Sequence, residues 1–235
     1  MLRTIFAVIL LGLFELLIGL PLLFVAWISG TAGLLYPAVA IGLRMAFATA
    51  GLRVRTEGEE NIPAGACLFL SNHTSAIDPP ALFISVPKRI AFLAKQELFR
   101  IPFLGPAMRS AGFISVDRTN REAAAESANR VVCQLREGVS LVIYPEGTRS
   151  PDGRLLPFKR GAFLIAIRAE QPVVPVTING AQRILPKGER WIRPGEIVIR
   201  FHPAMDISGY QAADRELLLE RVRAAIAAAL PPELR

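Results

Sequence analysis

The chain has 235 residues and a net charge of +7, enough for one sizeable domain with a single core. No lysine/arginine-rich run, zinc spacing or aromatic–basic repeat appears, which argues against nucleic acid as a partner. The two cysteines, Cys67 and Cys133, form no disulfide framework and fit a reducing compartment as buried small hydrophobes.

Hydrophobic residues make up 52 %, and the excess lies at the start of the chain. From Thr4 to Leu43 the only charge is Glu15. Such a run would be roughly 60 Å long as one helix at about 1.5 Å per residue. It is too long for one soluble helix and too apolar for water. A signal peptide would account for Ala38-Val39-Ala40, but the run far exceeds a signal h-region. A single span over Thr4–Ile28 fits a bilayer by length. A helical hairpin fits more of the pattern. Its first arm covers Ile5–Ile28, Ser29-Gly30-Thr31-Ala32-Gly33 breaks it, and the second arm runs towards Ala48, with Pro21 and Pro37 as kinks. Arg3 precedes the hairpin, and Arg44, Arg53 and Arg55 follow it, so both ends suit the cytoplasmic face of a cell membrane. The expectation is a membrane-anchoring segment over 1–50 and a catalytic domain over 51–235. With Arg3, Arg44 and Glu15 set aside, 25 basic and 19 acidic residues remain, a net of +6. That charge suits anionic headgroups or phosphorylated ligands.

Beyond the hairpin, near-continuous apolar runs predict strands at Ala66–Leu70, Ile90–Ala94, Phe113–Val116, Ser140–Tyr144, Val173–Ile178 and Ile197–Phe201. Helical patterns alternate with them at Pro79–Ser85, Thr119–Glu137, Gly161–Glu170 and Ala213–Leu230. The expected fold class is α/β, a mostly parallel sheet flanked by helices.

Three strand ends turn polar. After the first strand comes Asn72-His73-Thr74-Ser75-Ala76-Ile77-Asp78. His73 and Asp78 would point about 140° apart in a continuous helix, and Pro79 disfavours helical geometry at Asp78. A turn that leads into a helix at Pro79 can instead bring them together as a base and its orienting carboxylate. An Asp before Pro-Pro is equally a good helix cap, so Asp78 alone decides nothing. The third predicted strand ends in Asp117-Arg118, where a guanidinium can grip a phosphate with two donors. The fourth ends in Tyr144-Pro145-Glu146-Gly147-Thr148-Arg149-Ser150. There Thr148, Arg149 and the backbone at Gly147 could hold an oxyanion, and Glu146 could orient Arg149 or bind an acceptor hydroxyl. The other histidine, His202, precedes Pro203 at a strand end and reads as structural. No metal site and no nucleotide-type phosphate loop is visible.

His-x4-Asp, the Asp-Arg strand end and Pro-Glu-Gly-Thr-Arg, in this order, resemble the glycerolipid acyltransferase family. The likeness is greatest to bacterial 1-acyl-sn-glycerol-3-phosphate acyltransferases. Val173-Val174-Pro175-Val176 supplies a fourth block, and Lys95 and Phe158-Lys159-Arg160-Gly161 also resemble family positions. Tyr144 stands where phenylalanine is usual, and Ser115 is polar within the second block.

The resemblance implies acyl transfer from acyl-CoA or acyl-ACP, as co-substrate with no further cofactor, to a lysophospholipid hydroxyl. His73 would act as base and Asp78 as its partner. Arg118, Glu146, Gly147, Thr148 and Arg149 would bind the acceptor, with Asn72, Lys95, Lys159 and Arg160 as secondary candidates. No Gly-x-Ser-x-Gly elbow is present and neither cysteine has a histidine near it in sequence, which favours direct transfer without an acyl-enzyme. Another lysolipid acceptor, such as a lyso-ornithine lipid, remains open, as does a lipid-binding protein without catalysis.

Overall fold

The computed structural model describes residues 1–29, 33–117 and 121–235. The apolar run opens with α1 (Leu2–Phe14), passes through a π-helical turn at Glu15–Gly19 and continues as α2 (Leu20–Ser29). Pro21 has no N–H to give the ladder and its ring crowds the preceding turn. The wider turn just before it, with the Leu20 N–H reaching Glu15 O, absorbs that conflict without ending the helix. Leu2–Ser29 is therefore one continuous helix of 28 residues, long and apolar enough to cross a membrane, and little of it is buried by the rest of the protein. The predicted break falls partly on residues 30–32, which lie outside the described residues. The second arm is α3 (Leu35–Ala50), two residues longer than predicted and closed by Gly51 in the left-handed conformation. It packs along α1. Gly42 permits the approach, because a Cβ there would lie 2.7 Å from the Phe14 ring.

A seven-stranded sheet follows, built from β1 (Leu52–Glu57), β2 (Leu68–Ser71), β3 (Ile90–Lys95), β4 (Ile114–Val116), β5 (Ser140–Ile143), β6 (Val173–Asn179) and β7 (Gly195–Phe201). Their order is β1-β7-β6-β2-β5-β3-β4, and every neighbouring pair is parallel except β6 and β7. The helices are α4 (Asp78–Ser85), α5 (Leu104–Ser110), α6 (Arg121–Arg136), α7 (Gly161–Ala169), α8 (Ala181–Ile184) and α9 (Arg215–Ala229). The expected α/β class holds. The central strands are buried on both faces, which is why they read as unbroken apolar runs. Along β2 the side chains alternate. Phe69 joins a core cluster with residues of α3 and α4, while Leu68 and Leu70 join another with α6, α7 and α9.

One expectation fails and one strand lies outside the predicted set. β1 was not predicted: Leu52, Val54 and Thr56 alternate with Arg53, Arg55 and Glu57, the pattern of an edge strand with one wet face rather than a buried run. Cys133 is exposed on α6, whereas Cys67 is fully buried one residue before β2. The two short helices α5 and α8 also went unpredicted. Seven and four residues give too few turns for an apolar stripe to show.

Candidate active site

Parallel pairing places the carboxyl ends of β2, β3, β4 and β5 along one edge of the sheet. Because β2 and β5 are immediate neighbours, the turn after Ser71 lies beside the turn after Ile143. Open α/β sheets concentrate ligand sites at such edges.

The His73 and Asp78 side chains meet. Imidazole Nδ1 lies 2.8 Å from Asp78 Oδ2, with the histidine side chain 15 % exposed and the aspartate fully buried. The same oxygen accepts the backbone N–H groups of Thr74 at 2.7 Å and Ser75 at 2.8 Å. A carboxylate that accepts three donors requires Nδ1 to carry the proton, which leaves the Nε2 lone pair for other work. α4 begins at Asp78 itself, one residue earlier than predicted, yet the carboxylate caps nothing in its own helix. It is turned back onto the preceding loop and the histidine. Asn72 fixes the approach from the other side: its side chain exchanges two hydrogen bonds with the backbone of Ile178 on β6, at 2.9 and 2.8 Å. Asn72 is buried by that pairing, so its part is to hold the turn.

The second turn is sewn to the first. Glu146 is 3 % exposed. Its Oε1 accepts the His73 N–H at 2.7 Å and its Oε2 accepts the Leu156 N–H at 3.2 Å, while the Ser150 N–H donates to His73 O at 2.8 Å. Burial pushes the Glu146 carboxyl up to about 7, against the opposing pull of its two backbone donors. Both its oxygens face backbone, so it neither orients Arg149 nor reaches outward. The Arg149 carbonyl is instead held by Lys187 Nζ at 2.8 Å. Gly147 takes φ +71°, and a Cβ there would come within 2.9 Å of Lys159 Nζ. Lys159 therefore lies over this turn, with Thr148 exposed and Arg149 half-buried beside it. Lys95 and Arg160 form ion pairs with Glu97 at 2.9 Å and Glu216 at 2.6 Å. Arg118 lies outside the described residues. His202 hydrogen-bonds Thr177 at 2.8 Å, away from both turns.

The sequence drew no attention to the contact of Tyr144 with His73. Its ring stacks on His73 with centroids 4.0 Å apart and planes 18° from parallel. Its buried hydroxyl has no hydrogen-bond partner among the described residues, and burial together with the Asp78 charge holds it well above the usual phenol range. Tyr144→Phe keeps the stack and removes a buried hydroxyl whose desolvation costs about 1–3 kcal/mol. The expected result is a raised melting temperature and activity within about twofold of wild type. A clear loss of turnover would show that the hydroxyl takes part in the chemistry.

An apolar cavity of about 700 Å³ opens beside the pair, between α1, α2, α3, α4 and α5. Its walls include Leu20, Tyr36, Phe83 and Phe113, and they reach Pro79 and Pro80 but stop short of His73.

Comparisons with known proteins bear on the family and the fold. Residues 53–179, more than half of the chain, match the family described as Acyltransferase. The chain is 34 % identical over 185 residues to a 1-acyl-sn-glycerol-3-phosphate acyltransferase of Chlamydomonas reinhardtii, covering 77 % of this chain and 54 % of that one. It is 35 % identical over 176 residues to the human 1-acyl-sn-glycerol-3-phosphate acyltransferase alpha, covering 74 % and 62 % respectively. The chain thus spans about half the length of the curated relatives it matches. The crystal structure of the 1-acyl-sn-glycerophosphate acyltransferase PlsC from Thermotoga maritima superposes with a TM-score of 0.84 at 28 % identity, over 97 % of this chain and 92 % of that one. With its own fold, paired turns and family match in agreement, this chain belongs to the acyltransferase family.

Proposed function

We propose that the chain transfers an acyl group from an acyl thioester, on coenzyme A or acyl carrier protein, to the free hydroxyl of 1-acylglycerol-3-phosphate, giving phosphatidic acid. The observation that carries this reading is the buried Asp78 carboxylate on His73 Nδ1, which leaves Nε2 as a base at the sheet edge. Nε2 takes the acceptor's hydroxyl proton as that oxygen attacks the thioester carbonyl. The tetrahedral intermediate collapses, the C–S bond breaks, and the thiolate leaves and recovers the proton from the imidazolium. Asp78 keeps the ring oriented and stabilises its charged form. No acyl-enzyme is needed.

Arg149, with Arg118 and the backbone at Gly147 and Thr148, takes the acceptor's phosphate in this reading, helped by Lys159 above the same turn. The apolar cavity has the size of a small-ligand site and suits an acyl chain laid against α4. Leu2–Ser29 anchors the protein in the cell membrane, as a span or a dip into one leaflet, with the active site on the cytoplasmic side where Arg3 and Arg44 lie. Acceptor and product are both lipids, so the site must work at that surface.

A panel of lysolipid acceptors, each offered with one labelled acyl thioester with and without EDTA, tests the reading on the full chain. The expected result is label in phosphatidic acid, preferentially from 1-acylglycerol-3-phosphate and unaffected by EDTA. Preferential labelling of a lyso-ornithine or other lysolipid would replace the acceptor. No transfer to any acceptor would leave a lipid-binding protein in place of an enzyme.

A further inference from the structure

The stretch from Leu185 to Pro194, between α8 and β7, plays no part in the chemistry described, yet it touches three separate parts of the molecule. It meets the first turn of α1: the Ile192 N–H donates to Thr4 Oγ1 at 2.9 Å, across 188 positions of sequence. Arg3 Nη1 and Pro194 Cβ flank Gly51, at 3.0 and 3.2 Å from where a Cβ on that glycine would lie. It meets the catalytic turn, where Ser75 Oγ donates to Leu185 O at 2.8 Å. It meets the Glu146 turn as well, through Lys187 Nζ on Arg149 O.

We propose that this loop is a lipid-headgroup contact, in which Trp191, Arg190 and Arg193 dock on an anionic bilayer surface and set the height of the active site above it. The proposal rests on the membrane reading given above. Its level in the molecule is fixed by Thr4, because the exposed apolar surface of α1 begins at the same turn with Leu2, Ile5 and Phe6. A loop tied to that turn lies where apolar surface gives way to charge. Its composition matches such a boundary. Trp191 is 44 % exposed and stands between Arg190 and Arg193, and Glu189 is the one acid in the loop, within 4.0 Å of Arg193. Tryptophan is favoured at the bilayer interface, where its ring is apolar and its N–H stays wet. Each lysine or arginine near an anionic leaflet adds to the attraction. An exposed tryptophan among arginines gains nothing from water alone, so the bilayer is the partner that uses both features. The Ser75 and Lys187 hydrogen bonds make the loop a rigid spacer between that surface and the two catalytic turns.

The chain contains two tryptophans, which supply an internal control, since Trp27 lies on α2 and is 77 % exposed. Trp27→Phe leaves Trp191 as the reporter, and Trp191→Phe leaves Trp27. Each full-length variant is reconstituted into phosphatidylcholine vesicles with and without phosphatidylglycerol, some with brominated acyl chains, and iodide is added outside. The expected result in phosphatidylglycerol vesicles is a blue shift of Trp191 emission and loss of iodide quenching. Quenching of Trp191 should come from bromines near the headgroup and not from those at the methyl end. Arg190→Gln with Arg193→Gln should restore iodide access to Trp191 while Trp27 stays protected. Trp191 open to iodide beside a protected Trp27 would overturn the loop proposal and leave the membrane reading standing. Both tryptophans open to iodide would overturn the two together.

Discussion

His73→Ala should lower kcat by about 10²–10⁴, the range a positioned general base contributes, while the melting temperature changes little. The ring is already 15 % exposed and its main packing partner is the Tyr144 stack, so its removal leaves no large buried void. Asp78 needs a gentler substitution. Asp78→Ala would strand the Thr74 and Ser75 N–H groups without acceptors, at about 1–3 kcal/mol each, and would confuse unfolding with inactivity. Asp78→Asn keeps an oxygen for those donors but removes the charge that stabilises the imidazolium. It should cost up to about 10⁴ in kcat. If the two side chains act as one unit, His73→Ala combined with Asp78→Asn is no slower than His73→Ala alone. The measurements are turnover of a labelled thioester with saturating acceptor, and circular dichroism on the same samples. Near-wild-type turnover of a folded His73→Ala protein would remove the base from the mechanism.

The parts of this site that were legible in sequence are those whose signal is local. A five-residue offset closed by Pro79 implies a turn, and the turn is there, with the two side chains at 2.8 Å. Buried parallel strands announce themselves as apolar runs, and all six runs form strands. What stayed hidden depends on which strands become neighbours. Nothing near Glu146 in sequence reveals that its carboxylate receives the N–H of His73, 73 positions away, because only the β2–β5 pairing makes them adjacent. Its chemistry suggested an outward ligand; burial between two turns makes it a clamp. Likewise Tyr144 could be seen to end a strand but not to stack on His73. The 700 Å³ cavity is lined from segments between Leu11 and Phe113 that no single window joins. Lys95 and Arg160, cations that resemble binding positions, carry exposed ion pairs with Glu97 in the next turn and with Glu216 on α9, the latter a partner outside any window read around Arg160.

Glu146 should link the fold to pH. In the unfolded chain its carboxyl titrates near 4.5, and in the fold burial raises it to about 7. The folded state therefore holds the proton more tightly, so this group favours the fold below 4.5 and loses that contribution as pH climbs to about 7, beyond which the effect is constant. The difference amounts to a few kcal/mol, at about 1.4 kcal/mol per tenfold change in proton affinity. Function pulls the other way. The ionised carboxylate can accept from both His73 and Leu156, whereas the protonated form places an O–H against one of those donors. The clamp on the catalytic turn is thus tightest where it costs the most stability. Glu146→Gln has one accepting oxygen at every pH, so one backbone N–H loses its partner. Two results are expected. The fall in melting temperature between pH 5 and pH 8 should be smaller in Glu146→Gln than in wild type by the part this carboxyl contributes. At pH 8 its kcat should drop about 10- to 100-fold, the effect of roughly 1.4–2.8 kcal/mol on a barrier, with little change in acceptor KM. An unchanged pH dependence of melting would show that Glu146 does not titrate in this range. A rise in acceptor KM at constant kcat would return the residue to the acceptor's binding surface, and the joining of the two turns would then rest on the Ser150 N–H to His73 carbonyl bond.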